Sequence, residues 1–185
     1  MVGTASKKVA VLIIILALAG LLLVACGSGS SSSPRTSADT GGGEASSQFL
    51  VAGKPNKIAR FGQEATAAER EAASSVLEQN LRARAAGDWA KQCSSLTAAI
   101  VAGIKERASN LGIEHGCAKD LETEAEPAPK SVRVDTLTGP IDALRVKGDR
   151  GYALYHGKHG IDYAMPMRKE DDTWKVAAEV TTKLP

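Results

Sequence analysis

Three cysteines, three histidines and three tyrosines carry most of the reactive potential of this 185-residue chain. His156 and His159 stand three apart across a turn bounded by Gly157 and Gly160, and His115 lies two residues before Cys117. A protein zinc site needs three or four ligands held together. The H-x-x-H here flanks a glycine-rich turn rather than one face of a helix, and no carboxylate is fixed beside it. These read as exposed turn histidines, and no metal is expected. Tyr152, His156 and Tyr163, with Asp162 nearby, supply hydroxyl, imidazole and carboxylate groups. Such groups can polarise and protonate an oxygen in an apolar cavity. Asp162 and Tyr163 are strand neighbours, however, so they point to opposite faces and cannot both line one cavity without a bulge. Tyr152, His156 and Tyr163 therefore stand as a candidate pocket lining with no catalytic residue assigned. Met165-Pro166-Met167 has no His or Cys at a matching spacing for copper. It reads as core filling, with Pro166 marking an edge or a bulge. No cofactor is expected.

The thiols divide by context. Lys7 and Lys8 precede an uncharged apolar run, residues 9–25, the layout of a secretory signal. The run ends in Leu23-Val24-Ala25-Cys26-Gly27, which resembles a bacterial lipobox. In that motif the cysteine takes a diacylglyceryl group and the preceding peptide is removed. The expectation is a signal peptide over residues 1–25 and a lipid on Cys26. That lipid would hold the protein to the outer face of the cell membrane, since two acyl chains give stable anchoring where one is marginal. An uncleaved anchor is the alternative, although a run this short barely spans a bilayer. Cys93 and Cys117 are then an even pair in an oxidising compartment, and the simple expectation is one disulfide. A redox pair or half a metal site is the alternative. Their separation excludes a Cys-x-x-Cys motif.

Charge narrows the partners. The precursor carries +2, which falls to 0 once Lys7 and Lys8 leave with the signal. No basic excess remains to neutralise phosphates, so nucleic-acid binding is not expected. From Gly27 to about Ser47 the chain is rich in Gly and Ser with no apolar period, so residues 26–55 read as a flexible linker. Order is expected to resume near Phe49 or Ile58, and residues 56–185 suit one domain.

The elements that must position these residues follow from local signals. Thr66-Ala67-Ala68-Glu69 fits a capping box, followed by Ala73, Val76, Leu77, Asn80 and Leu81 at helical spacing. Arg82 and Arg84 suit the C-terminal end of the helix dipole, and Gly87 ends the helix. Asp88 can cap a second helix, with Trp89, Cys93, Leu96, Ile100, Val101 and Ile104 on one face; Ser94, Ser95 and Thr97 can divide it. A short helical turn is expected from about Cys117 to Glu122, with Pro127 and Pro129 breaking helix after it. Period-two alternation begins with Val132 and Val134. It continues through Leu144 and Val146, Tyr152 to His156, Ile161 to Met167 and Trp174 to Val180, with turn signals between. Helices first and an antiparallel meander second is an α+β layout.

This order resembles the NTF2-like (SnoaL-like) superfamily, cone-shaped α+β domains found in actinobacterial lipoproteins. Ala85-Ala86-Gly87-Asp88-Trp89-Ala90-Lys91-Gln92-Cys93 is similar to the family's joint between the first two helices. Glu170-Asp171-Asp172-Thr173-Trp174-Lys175-Val176 is similar to its closing hairpin, with Asp172 in place of the usual glycine. The resemblance covers about residues 58–180. It implies N-terminal helices on a curved antiparallel sheet, with a pocket at the open end. Such folds serve isomerases, cyclases, dimerisation modules and proteins without activity, so fold alone does not settle function. The expectation is a non-enzymatic lipoprotein that binds a small apolar ligand or an envelope protein, or pairs with itself through the outer sheet face. An isomerase- or cyclase-type enzyme and an accessory subunit of an envelope assembly are the alternatives.

Overall fold

The computed structural model describes residues 45–185 apart from 114, 128–129, 135 and 137–138. The expected signal peptide and Cys26 lie outside the described residues.

The first helix, α1 (Ala67–Ala86), begins and ends where its local chemistry dictates. The Thr66 hydroxyl accepts from the Glu69 amide at 3.2 Å, and the Glu69 carboxylate accepts from the Thr66 amide at 3.3 Å. Gly87 closes the helix with φ 76°, a left-handed conformation that costs glycine little. Asp88 then caps α2 (Trp89–Ser95) by accepting from the Lys91 amide. The long apolar stripe after Asp88 is divided, as its Ser and Thr residues suggest. Leu96 turns extended and bridges Val176, the Thr97 amide donates to the Val176 carbonyl, and the Thr97 hydroxyl caps α3 (Ala98–Asn110). α4 (Cys117–Ala125) follows and ends before Pro127.

All strand pairs in the six-stranded sheet are antiparallel. Its strands are β1 (Gln63–Glu64), β2 (Ala143–Lys147), β3 (Arg150–His156), β4 (Asp162–Glu170), β5 (Thr173–Val176) and β6 (Thr182–Lys183). They lie in the order β1-β2-β3-β4-β5, with β6 also against β4. Gly62 lets the chain enter this sheet. With φ +51° it passes so near β2 that a Cβ would fall 1.9 Å from the Val146 carbonyl oxygen.

The period-two pattern sorts the sheet into two faces. Leu144, Val146, Ala153, Tyr155, Tyr163, Met165, Met167, Trp174 and Val176 meet Ala73, Leu77 and Leu81 of α1 and Ile104 of α3 in the main core. Ala143, Leu154 and Ala164 point the other way, against Phe49 and Ala59. The fold is thus α+β, helices on a curved antiparallel sheet, as the order of elements leads one to expect. Asn80 interrupts the apolar stripe of α1 without leaving a gap, because its amide donates to the Ser95 hydroxyl of α2 at 2.8 Å.

Three expectations change. Val132 and Val134 do not form a strand: Lys130–Val134 is a short helix, α5, that packs against α1. Two apolar residues alternating with two charged ones are too few to specify a strand. The last strand ends at Val176 rather than Val180. Beyond Met167 paired with Val176, the next pair would be Pro166 with Ala177. The Ala177 amide reaches the Pro166 carbonyl at 2.9 Å, but proline has no amide to return the bond. The ladder stops there, residues 177–181 leave the sheet, and β6 takes up the free length of β4 at Tyr163 and Ala164. Finally, the folded part extends N-terminal to residue 56. Phe49, at the end of a 3-10 turn (Ser47–Phe49), is 1% exposed, and the buried Asn56 side chain donates to its carbonyl.

Candidate functional site

The release of residues 177–181 shapes the end of the molecule where β3 finishes. There a cavity of about 150 Å³ opens between the last turn of α1, α2, α4, α5 and the departing chain. Arg84, Gln92, Arg133, Glu124 and Glu179 supply polar lining, and Trp89, Leu121 and Val180 supply apolar lining. A second hollow of about 280 Å³ shares Trp89, Ala125 and Arg133 with it and continues along α4 to Lys119.

Several buried polar atoms at this end lack a partner among the described residues. The Gln92 side chain is 3% exposed and its Oε1 accepts nothing. Arg133 Nε is likewise unpaired, while its guanidinium lies 5.4 Å from the Trp89 ring centroid in a cation–π contact. Behind the lining, the fully buried Tyr155 hydroxyl neighbours Thr181 and Arg84 without a hydrogen bond of ordinary geometry. Burial pushes this phenol well above its ordinary pKa, while Thr181 and Arg84 pull it partly back. Leaving such groups unsatisfied is costly, and native proteins do so mainly where something else completes them.

The charges are arranged unevenly. Arg107 forks across both Glu124 oxygens at 3.1 and 3.2 Å and reaches Glu179 at 2.7 Å, contacts that hold its pKa above the usual guanidinium value. Arg84 hydrogen-bonds no carboxylate among the described residues, and its contact is the Glu179 carbonyl at 3.4 Å. Burial lowers its pKa from the guanidinium norm. That norm is so high that the group remains a cation at any physiological pH.

Cys93 and Cys117 hold this site together. Their sulfurs lie 2.11 Å apart as a disulfide, joining α2 one residue past Gln92 to the start of α4, which carries Leu121 and Glu124. The bond fixes one wall of the cavity against the other.

The residues singled out as a pocket lining are not gathered together. Tyr152 and His156 lie on the outer face of the sheet, and Tyr163 lies on the helix side, where it stacks on Tyr155 with ring centroids 5.7 Å apart. Tyr152 packs edge-on to Phe61 at 5.0 Å. His156 stacks on Phe49, bonds Asp162 through Nδ1 at 2.6 Å and meets the Gln48 amide oxygen through Nε2 at 3.3 Å. Its contacts thus tie residues 48–49 to the sheet. No group of three or more His, Cys, Asp or Glu side chains is placed to hold a metal among the described residues. Nor is any helix among them long and apolar enough to cross a membrane.

Arg84 and Trp89 stood in the sequence as a dipole partner and a junction aromatic. Gln92 and Tyr155 carried no separate signal. Only the pairing of Tyr155 with Tyr163 puts the former on the helix side, and only the division of the long helix places Gln92 at a wall. A larger hollow of about 800 Å³ runs along the solvent side of α1. It is lined by charged residues such as Arg70, Glu71 and Lys91, and none of its lining groups is both buried and unpartnered among the described residues. Compared with protein-family models, curated proteins and solved structures, the chain matches none.

Proposed function

We propose that this protein is a lipid-tethered, extracytoplasmic binding module of NTF2-like type, and that its ligand site is the cavity bounded by α1, α2, α4, α5 and residues 177–181. One observation carries the reading: a small open cavity lined by the Arg84 and Arg133 side chains together with the apolar wall of Trp89 and Leu121. Binding sites combine apolar walls with a few convergent polar groups in this way. The Leu23-Val24-Ala25-Cys26 motif supports the tether, and the Cys93–Cys117 disulfide suits an oxidising compartment. An isomerase or cyclase of this fold needs a carboxylate base beside a hydroxyl. The two carboxylates of the cavity are both engaged by Arg107, which favours binding over catalysis.

The tether is tested by membrane fractionation and intact-mass measurement. The wild type is expected in the membrane fraction with residues 1–25 removed and a diacylglyceryl thioether added. Cys26→Ser is expected to lose that modification. A Cys26→Ser protein that stays on membranes as the wild type does, at its precursor mass, would show that the chain is held by an uncleaved apolar anchor instead.

A further inference from the structure

The segment that enters the domain ahead of β1 carries a surface of its own. Of the four large hydrophobic side chains exposed among the described residues, two are neighbours, Leu50 at 37% and Val51 at 42%. They stand in one loop, residues 50–55, exposed along its whole length. The loop is built to project them. Gly53, at φ 76°, allows a tight turn in which the Lys54 amide donates to the Val51 carbonyl at 3.1 Å. The buried Asn56 closes the base: its amide donates to the Phe49 carbonyl at 3.0 Å, and its carbonyl oxygen accepts from the Ile58 and Ala59 amides. Phe49 and Ala59 are buried against the sheet, so the loop is fixed on both sides. Its charge has one sign. Residues 45–63 hold Lys54, Lys57 and Arg60, all exposed, and no aspartate or glutamate. None of the three cations makes an ion pair or a side-chain hydrogen bond among the described residues. The shallow hollow at the tip is lined only by residues 50–55 and Arg60, so no carboxylate from another element lines it. Glu64, the next acid along the chain, pairs with Arg145, and Asp142 and Asp162 on the sheet beneath are engaged by His156.

We propose that residues 50–55, with Lys57 and Arg60, dock the domain on an anionic bilayer surface. Leu50 and Val51 enter the boundary of the acyl chains, and the long basic side chains stay among the headgroup phosphates. An apolar tip inside a basic collar suits that surface, because burial of apolar area and attraction to anionic lipid act together. This rests on the lipid tether. Cys26 stands nineteen residues before Ala45, so even a fully extended chain keeps the start of the described residues within about 65 Å of the lipid. A tether of that reach gives the bilayer an effective concentration that a freely diffusing partner lacks.

The full lipidated chain accepts a single probe, because Cys26 carries the lipid and Cys93 is bonded to Cys117, which leaves an added cysteine as the one free thiol. Val51→Cys is labelled with an environment-sensitive fluorophore, and Leu111→Cys, 69% exposed just after α3, serves as the control. Each is reconstituted in vesicles of phosphatidylcholine alone or with a third of phosphatidylglycerol. In the anionic vesicles the Val51 label is expected to shift to the blue and to be quenched about twofold or more by spin-labelled acyl chains, and the Leu111 label to do neither. Lys54→Gln, Lys57→Gln and Arg60→Gln combined are expected to remove at least half of that quenching while the denaturant midpoint of the domain stays in place. A Val51 label as open to water as the Leu111 label, on protein that still floats with the vesicles, would overturn the docking and leave the tether. Equal quenching in the neutral vesicles would overturn the anionic assignment. A blue shift without quenching by the labelled lipid, growing with protein density, would assign the loop to a second copy and overturn the membrane as its partner. Protein that fails to float with the vesicles would overturn both the tether and the docking.

Discussion

The two ends of α1 meet the sheet on opposite terms. At its N-terminal end the helix cap and its ion pairs are complete, and among the described residues the buried Glu64 Oε1 alone stays unpaired near it. Glu69 serves the Thr66 cap and also takes an ion pair from Lys169 at 2.7 Å, and that lysine lies over the Trp174 ring. The Glu170 carboxylate accepts from the Ala98 amide at the start of α3, so the β4–β5 hairpin is pinned to a second helix. At its C-terminal end, among the described residues, Arg84 hydrogen-bonds a carbonyl and no carboxylate, and buried atoms of Gln92, Arg133 and Tyr155 stay unpaired near an open cavity. One end is built to hold the fold together. The other accepts unsatisfied groups, the arrangement expected where a ligand rather than the chain supplies the missing partners.

The disulfide gives the largest test of this contrast, because it belongs to the open end and yet stabilises the whole. Replacing Cys93 and Cys117 together by alanine should cost about 3 kcal/mol in denaturant unfolding. It should also free the α4 wall of the cavity, read as faster amide exchange in α4. Hydrogen exchange in the first turn of α1 should be the last region affected. Next comes Asn80→Ala, which removes a satisfied buried amide bonded to Ser95. A loss of about 2 kcal/mol is expected from the missing bond and the space left behind. Tyr155→Phe should behave differently. Among the described residues its buried hydroxyl makes no hydrogen bond of ordinary geometry, only the Thr181 contact, so its removal should leave stability within about 1 kcal/mol of wild type. If Tyr155→Phe proved as destabilising as Asn80→Ala, the division between the two ends would fail.

The smallest effect lies at the closed end and depends on pH. The Lys169 hydrogen bond holds the Glu69 carboxyl below its ordinary pKa, opposed by partial burial and aided by Thr66. A folded pKa below the unfolded one gives stability that is present above the unfolded value, about 4.3 for glutamate. It is lost as pH falls through the folded value. The denaturant midpoint of Glu69→Gln should therefore lie below that of wild type at pH 7, and the gap should narrow below about pH 4.3 and close once pH passes the folded value.

The same contrast separates what could be read in advance from what could not. The closed end is local chemistry: Thr66 with Glu69, Gly87, Asp88 and Thr97 are caps and stops that act within a few residues, and each stands where its type predicts. The strands from Leu144 to Met167 were legible because their alternation is long enough to fix a face. The division of the apolar stripe after Trp89 followed from Ser94, Ser95 and Thr97. The open end depends on events distant in sequence. Pro166, ten residues before Val176, ends the β4–β5 ladder, and the chain beyond brings Glu179 and Val180 to the cavity. Tyr155 reaches the helix side through its register with Tyr163, while Tyr152 and His156 go to the other face and meet Phe61 and Phe49. Phe49 follows a Gly/Ser-rich stretch and shows no apolar period of its own, so the sequence offers it only as one of two places where order can resume. The helix over Lys130–Val134 was hidden by an alternation only four residues long.

The most direct test of the account is the denaturant stability of Arg84→Gln. If the C-terminal end of α1 is shaped for a ligand and not to hold the fold together, the variant should unfold within about 1 kcal/mol of wild type. A variant several kcal/mol less stable than wild type would contradict it.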